Sequence, residues 1–226
     1  AFEYMPRSYI DKHKQLFPDV PPPFEESYDV NIMIEVAATQ AKDAVPDSDG
    51  SLPVVTALEQ TLWGMLEEGT VLDAVIAQND TQRSEIWKRR EDAGEVAFFG
   101  GVFVNTDVAL PLDKVAAFEE ALTPRIKAID PDASEVIVAH LGDGNIHHTS
   151  YISRNDPAVM DALVEAVEDV VQELGGSFSA EHGIGVSKLD TMKRRKDPVA
   201  LDAMRAIKAA LDPNNILNPG KVIPGA

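Results

Sequence analysis

The sequence contains no cysteine among its 226 residues. Disulfide bridges, thiolate nucleophiles and thiolate metal ligands are therefore excluded, as is the disulfide framework of small extracellular proteins. A reducing compartment is compatible with this composition, and we predict a cytoplasmic location. The sequence also lacks an apolar run of the ~20 residues that span a bilayer, and the pattern of a signal peptide is missing at its N-terminus.

Positive charge is scarce, because 20 lysines and arginines stand against 38 acidic residues, giving a formal net charge of -18. Surfaces that bind nucleic acid or anionic membranes need clustered basic residues. Only Lys88-Arg89-Arg90 and residues 193–196 form such runs. We expect neither nucleic acid nor a membrane as a partner, and we interpret the second run as a solvated helix end.

The chain divides by composition into two parts. Residues 1–30 carry aromatic residues and prolines without periodicity, which predicts an extended arm or linker. Residues 31–226 are long enough and apolar enough to form one compact domain. The sequence begins with Ala1 rather than methionine, so we expect it to be a piece of a longer protein.

Hydrophobic periodicity predicts alternating strands and helices. Strands are expected over residues 31–37, 71–77, 102–110, 136–140 and 146–152. Helix starts are expected near Pro53, at Asn79-Asp80, at Pro111, at Asp156-Pro157 and at Asp197-Pro198. Trp63 is expected in the core. The pattern favours an α+β fold with a mainly antiparallel sheet and helices packed on one face.

Two glycine-rich segments hold three of the five histidines: His140-Leu-Gly-Asp-Gly-Asn-Ile-His147 and Ser179-Ala-Glu181-His182-Gly-Ile-Gly185. The first histidine ends a predicted strand, and Asp143-Gly144 is a tight-turn signal, so His147 is expected on the returning strand. With Glu181, the pair supplies two imidazoles and one carboxylate, a set that binds a divalent ion and leaves a position open. An open position favours catalysis.

Each of these residues also has an ordinary structural interpretation. His140 can be satisfied by a backbone carbonyl, Glu181-His182 can cap a turn, and Asp143 or Asn145 can bond to the backbone of the turn. Their occurrence together between glycines favours a site.

These two segments and the ending Leu211-Asp-Pro-Asn-Asn-Ile-Leu-Asn-Pro-Gly-Lys221 resemble the C-terminal domain of FAD-linked oxidases of the vanillyl-alcohol-oxidase type. This group includes D-lactate dehydrogenase, the glycolate oxidase FAD subunit and D-2-hydroxyglutarate dehydrogenase. Ala1-Phe-Glu and Trp87 to Arg90 also fit, so the resemblance covers nearly the whole chain.

The resemblance implies that residues 31–226 are the substrate-binding, or cap, domain of such an enzyme. FAD would be bound mainly by a flavin-binding domain or subunit outside this chain, which would be inactive alone. His140, His147 and Glu181 would hold Zn²⁺ or another divalent ion, and His182 would be the catalytic base. The ion would assist deprotonation of the 2-hydroxyl of a D-2-hydroxy acid, whose C2 hydride would pass to the flavin.

Four further roles are considered. Arg90 would pair with a substrate carboxylate, although a surface helix arginine is its alternative interpretation. Asn145 is a candidate substrate ligand. Asn218 and Lys221 would approach the flavin.

The sequence departs from the D-2-hydroxyglutarate branch of the group. That branch carries threonine, lysine and asparagine at places that fall at or near Gly94, Asn105 and Thr149 here. Losing a lysine that would meet a second carboxylate puts a dicarboxylate substrate in doubt. D-lactate, glycolate and D-2-hydroxyglutarate all remain candidate substrates.

Two other classes of function remain open. Two histidines and a glutamate could equally activate water in a metal-dependent hydrolase. A non-catalytic assembly module would use the acidic surface to bind a separate flavin-binding chain. The electron acceptor and the oligomeric state, including a homo-oligomer, are left open by the sequence.

Overall fold

The computed structural model describes residues 1–225. Their strands are β1 (Phe2–Pro6), β2 (Val30–Ile34), β3 (Val102–Ala109), β4 (Ser134–His140) and β5 (Asn145–Ile152). Their α-helices are α1 (Arg7–Leu16), α2 (Pro53–Glu67), α3 (Asp80–Glu91), α4 (Ala93–Ala97), α5 (Val115–Ile129), α6 (Pro157–Glu173), α7 (Leu189–Arg195) and α8 (Pro198–Leu211). The pairs β1–β2, β1–β4 and β3–β5 are antiparallel, which agrees with the predicted α+β class.

The chain folds as two compact units. The first comprises residues 1–100 and 136–142, and the second comprises residues 101–135 and 143 onwards. Both units are discontinuous in sequence, because residues 136–142 return to the first unit between two segments of the second.

In the first unit, β1 lies between two partners. It pairs with β2 from Phe2 opposite Ile34 to Pro6 opposite Val30. Its other edge pairs with β4, where Glu3 lies opposite His140. This register brings residues that are far apart in sequence side by side.

In the second unit, β3 and β5 pair along their whole length, from Val102 opposite Ile152 to Ala109 opposite Asn145. Alternation along a strand sends successive side chains to opposite faces. One face is largely buried and carries Val108 and Ile146, and β3 packs against α6. The other face carries Asp107 and His147, which are direct cross-strand neighbours.

Local signals placed several helices correctly. The side chains of Asn79, Asp156 and Asp197 accept hydrogen bonds from backbone N–H groups at the starts of α3, α6 and α8, as capping predicts. Pro157 and Pro198 occupy the first turns, where a missing N–H is tolerated.

Three local predictions were wrong. The prediction of an extended arm over residues 1–30 was wrong for residues 7–16, which form the helix α1 with Tyr9 and His13 buried. Residues 71–77 were expected as a strand but form bends and irregular chain, with Leu72 and Val75 exposed. Trp63 was expected in the core, yet it is 65% exposed. The assignment of residues 1–30 to an interdomain linker stays a prediction.

Candidate functional site

The first unit gathers two predicted site residues around a buried glutamate. Glu3 Oε2 accepts a hydrogen bond from Arg90 Nε at 2.8 Å and lies 2.8 Å from His140 Nδ1. Arg90 Nη2 lies 3.2 Å from His140 Nε2. We call Glu3, Arg90 and His140 the Glu3 cluster.

The backbone explains how the Glu3 cluster forms. Glu3 and His140 are opposite one another in the β1–β4 register, and Arg90 lies in the last turn of α3. A guanidinium only donates, so His140 Nε2 accepts from Arg90 and Nδ1–H donates to Glu3. The cluster therefore fixes one tautomer of His140.

The second unit gathers four potential ligands: Asp107, His147, Glu181 and His182. One donor atom from each lies within 4.8 Å of the others. We call these residues the His147 cluster. Glu181 Oε1 lies 3.2 Å from His147 Nε2 and 3.6 Å from His182 Nε2. The two imidazole rings stack with centroids 5.3 Å apart and 22° between their planes.

Two features of the backbone bring the loop after α6 to β3. A Cβ at Gly176 would lie 2.4 Å from the carbonyl oxygen of Ala109, so only glycine permits this approach. Ser177 then exchanges two backbone hydrogen bonds with Ala109, at 2.7 and 2.9 Å. The segment that carries Glu181 and His182 consequently starts at the end of β3.

Asp107 is the most buried member of the His147 cluster, and Lys188 Nζ lies 3.2 Å from its Oδ2. Burial works to raise the pKa of the Asp107 carboxyl, but the His182 N–H and the Lys188 ammonium outweigh it. They hold this pKa below its usual range. Asp107 is therefore ionised at neutral pH.

The donor set of the His147 cluster fits a divalent ion. Two imidazoles and two carboxylates are ligands that Zn²⁺ and Mn²⁺ accept. Glu181 and His182 are about half exposed, so the cluster is open on that side. The structure thus brings together His147, Glu181 and His182, three of the site residues that the sequence predicted, and their roles stay predictions.

His140 lies in the first unit with Glu3 and Arg90. Its predicted role as a ligand of the same ion as His147 stays a prediction. Sequence reasoning did not identify Asp107 as a site residue. It also missed Glu3. Their positions depend on strand register, which a single sequence does not display.

The remaining predicted site residues lie in the second unit. Asn145 begins β5, on the same face as His147, and its buried Oδ1 has no partner among the described residues. Asn218 and Lys221 lie in the exposed segment after α8, where the N–H of Lys221 donates to the carbonyl of Asn218 at 3.2 Å. Contact of these two residues with a flavin stays a prediction.

Gly144, in the first motif, packs closely against the backbone of Leu110. Gly144 has φ +79°, and a Cβ there would lie 2.0 Å from the carbonyl oxygen of Leu110. The Leu110 N–H donates to the Gly144 carbonyl at 2.9 Å. Because this space is filled by backbone, only glycine permits the turn to approach Leu110 so closely.

The basic run at residues 193–196 is engaged in ion pairs. Arg194 and Arg195 donate to the carboxylate of Glu168, at 3.1 and 2.8 Å, and Thr191 donates to it at 2.6 Å. Glu168 is buried. The run therefore ties α7 to α6, and the interpretation of a solvated helix end was wrong for these two arginines.

The chain therefore has an α+β fold in which histidines and carboxylates gather in two clusters, the Glu3 cluster and the His147 cluster. Residues 45–222 match the family described as "FAD linked oxidases, C-terminal domain", and the chain belongs to this family. The family confirms the resemblance and implies FAD as cofactor. Among the described residues, no helix is long and apolar enough to cross a bilayer.

Curated relatives are similar over most of the chain. A D-2-hydroxyglutarate dehydrogenase of Stutzerimonas stutzeri (strain A1501) is 32% identical over 216 residues, covering 90% of this chain and 42% of the relative. A probable mitochondrial D-2-hydroxyglutarate dehydrogenase of Oryza sativa subsp. indica is 33% identical, covering 99% and 38%. A probable mitochondrial D-lactate dehydrogenase of Danio rerio is 30% identical, covering 67% and 31%. The chain spans about two fifths of the length of the first two relatives.

Proposed function

We propose that this chain is the substrate-binding part of an FAD-dependent oxidoreductase that oxidises a D-2-hydroxy acid. The family and the names of the relatives support the reaction class. The observation that carries the proposal is the His147 cluster, which sets the half-exposed His182 beside His147, Glu181 and Asp107. The flavin, held by a separate domain or subunit, supplies the acceptor for the electrons removed from the substrate.

In this proposal, His147 and Glu181 hold the divalent ion. When bound, the ion supplies a Lewis acid that lowers the pKa of a coordinated hydroxyl group. The exposed edge of the cluster, where Glu181 Oε1 faces Nε2 of both imidazoles, is the side open to a ligand.

His182 acts as the general base. Its ring is half exposed and is held against the His147 ring, so its Nε2 is presented at the open edge. Imidazole is suited to take a hydroxyl proton near neutral pH. Stacking on His147 restricts the ring and reduces the entropy lost on reaching a reactive geometry.

Asn145 binds a polar group of the substrate. Its buried Oδ1 without a partner is unusual, because buried polar atoms in proteins are nearly always hydrogen-bonded. Asn145 lies two residues from His147 on the same face of β5. The predicted role of Arg90 as a ligand of a substrate carboxylate stays a prediction; within the first unit, Glu3 holds its guanidinium.

The substrate side of the β3–β5 face is neutral next to the cluster. Asn105 Nδ2 donates to Thr149 Oγ1 at 2.8 Å, two pairs along the register from Asp107 and His147 and on the same face. A neutral pair supplies no charge for a second carboxylate. The proposal therefore includes D-lactate and glycolate beside D-2-hydroxyglutarate.

The test is calorimetric titration of the Mn²⁺-loaded chain with D-lactate, L-lactate, glycolate and D-2-hydroxyglutarate. The expected result is saturable binding of at least one acid that requires the ion, with D-lactate preferred over L-lactate if lactate binds. Metal loading without binding of any of these acids would contradict the proposal. Ion-dependent hydrolysis of a simple ester by the chain would favour a hydrolase instead.

A further inference from the structure

Asp107 is connected to the site loop by several hydrogen bonds. The N–H groups of Ala180 and His182 donate to its Oδ2, each at 3.1 Å. The N–H of Glu181 donates to its Oδ1 at 3.5 Å. One buried carboxylate of β3 thus binds three consecutive amides of the loop that carries two members of the His147 cluster.

Lys188 closes the same loop from its other end. Its ammonium donates to Asp107 Oδ2 at 3.2 Å and to Ser179 Oγ at 2.9 Å. A buried carboxylate is costly unless it is paired and hydrogen-bonded. The Lys188 ammonium therefore neutralises the negative charge of Asp107, the carboxylate that binds the amides of the loop.

The two imidazoles have a buried edge and an open edge. Asp107 Oδ1 lies 3.7 Å from Nδ1 of His147 and 3.9 Å from Nδ1 of His182. Glu181 Oε1 lies on the opposite side, near both Nε2 atoms. Asp107 thus faces both rings from β3, and Glu181 faces them from the exposed side.

We propose that Asp107 is a positioning residue that anchors the loop of Glu181 and His182 and orients both imidazoles with Nε2 towards the open edge of the cluster, without being a ligand of the ion itself. Its Oδ2 already receives two amides and an ammonium group, and its side chain is only 3% exposed. A carboxylate on the second ring nitrogen of a metal-binding histidine fixes the ring and raises its basicity. This inference rests on the proposed ion site, but it needs neither the flavin nor the hydroxy acid.

The experiment compares the 226-residue chain with Asp107→Asn and Lys188→Met. Mn²⁺ affinity is measured by electron paramagnetic resonance titration, and hydrogen exchange is measured at the amides of Ala180 to His182. Asp107→Asn is expected to weaken Mn²⁺ binding by about 10- to 100-fold and to speed exchange at these amides. Lys188→Met is also expected to weaken Mn²⁺ binding, because the loop loses the hydrogen bonds from Lys188 to Asp107 and Ser179.

Asp130→Asn is the matched control. Asp130 is equally buried in the second unit and accepts the N–H of Ser153 at 2.8 Å, but it lies outside the His147 cluster. Its replacement is expected to reduce stability and to leave Mn²⁺ affinity unchanged. Circular dichroism at the titration temperature checks that each variant is folded.

Lys188→Met separates an anchor from a ligand. If Asp107 were a ligand, removing a competing ammonium group would preserve or increase Mn²⁺ affinity, and that result would overturn the proposal. If the unsubstituted chain binds no Mn²⁺, hydrogen exchange at the amides of residues 180–182 still tests the proposal. Equal exchange rates in that chain and in Asp107→Asn would show that Asp107 does not anchor the loop. Failure of hydroxy-acid binding would contradict the proposed function, but it would not affect the measurements of Mn²⁺ affinity and amide exchange that test Asp107.

Discussion

Glu3 and His140 are paired in the first unit, with Glu3 Oε2 2.8 Å from His140 Nδ1. The same oxygen accepts from Arg90 Nε, so one carboxylate holds both predicted site residues of this unit. Because Glu3 and Arg90 are both largely shielded from water, removing either partner alone would leave a buried charge uncompensated.

Replacing Glu3 by glutamine removes this charge while keeping the shape of the side chain. The variant leaves the buried Arg90 guanidinium without its counterion, so we expect a loss of about 3 kcal/mol in the free energy of unfolding. Urea denaturation measures it. Glu59→Gln, on the exposed side of α2, is the control and should change stability by less than about 0.5 kcal/mol. Equal losses in the two variants would contradict the role given to Glu3.

Gly144 and Gly142 provide a matched pair of substitutions in one turn. Gly144→Ala introduces a Cβ against the Leu110 carbonyl at a positive φ, whereas a Cβ at Gly142 meets no atom within 4 Å. We expect Gly144→Ala to destabilise the chain by roughly 1–3 kcal/mol, and Gly142→Ala to have a much smaller effect. Thermal unfolding of both variants tests this difference. Similar unfolding temperatures would show that the close approach to Leu110 is not important.

Asp212 links stability to pH through the segment after α8. Hydrogen bonding from Lys208 lowers the pKa of Asp212 to about 2 from its ordinary value of 3.8, and the N–H groups of Ile216 and Leu217 donate to it at 2.9 Å. In the acid range the unfolded carboxyl binds a proton more readily than the folded one. Its stabilising contribution is therefore fully present above pH 3.8 and is lost as pH falls towards 2.

The variant Asp212→Asn lacks this contribution at every pH. We expect the difference in unfolding free energy between the unsubstituted chain and Asp212→Asn to be largest near about pH 5 and to shrink on acidification. Urea denaturation at a series of pH values measures it. Asp202→Asn, an exposed position on the same helix, serves as the control. A difference that stays constant with pH would rule out the linkage.

The parts of the fold that the sequence predicted are those determined locally. Asn79, Asp156 and Asp197 cap helices through bonds to residues two or three positions away, so their signals lie within one short segment. The strand before His140 was visible for the same reason, because its apolar residues are consecutive.

The parts that the sequence did not predict depend on long-range pairing. Glu3 meets Arg90 across 87 positions, and Asp107 meets the amides of residues 180–182 across more than 70. The segment at residues 71–77 has strand-like composition but pairs with no strand, since composition alone does not provide a partner. The motifs therefore identified His147, Glu181 and His182, while the residue beneath them was found only through the register of β3 and β5.

The central claim is that His147 and Glu181 hold a divalent ion. The most direct measurement is titration of the chain with Zn²⁺ and Mn²⁺ beside His147→Ala, Glu181→Ala and His148→Ala. His148 is adjacent in sequence but faces the core, with Nε2 2.9 Å from Glu135 Oε1 and its ring edge-on to Phe118. Its replacement should cost about 2–4 kcal/mol of stability without changing ion affinity.

The account predicts saturable one-to-one binding in the unsubstituted chain and in His148→Ala, and loss of that binding in His147→Ala and Glu181→Ala. Absence of binding in the unsubstituted chain, or equal affinity in all four proteins, would contradict it.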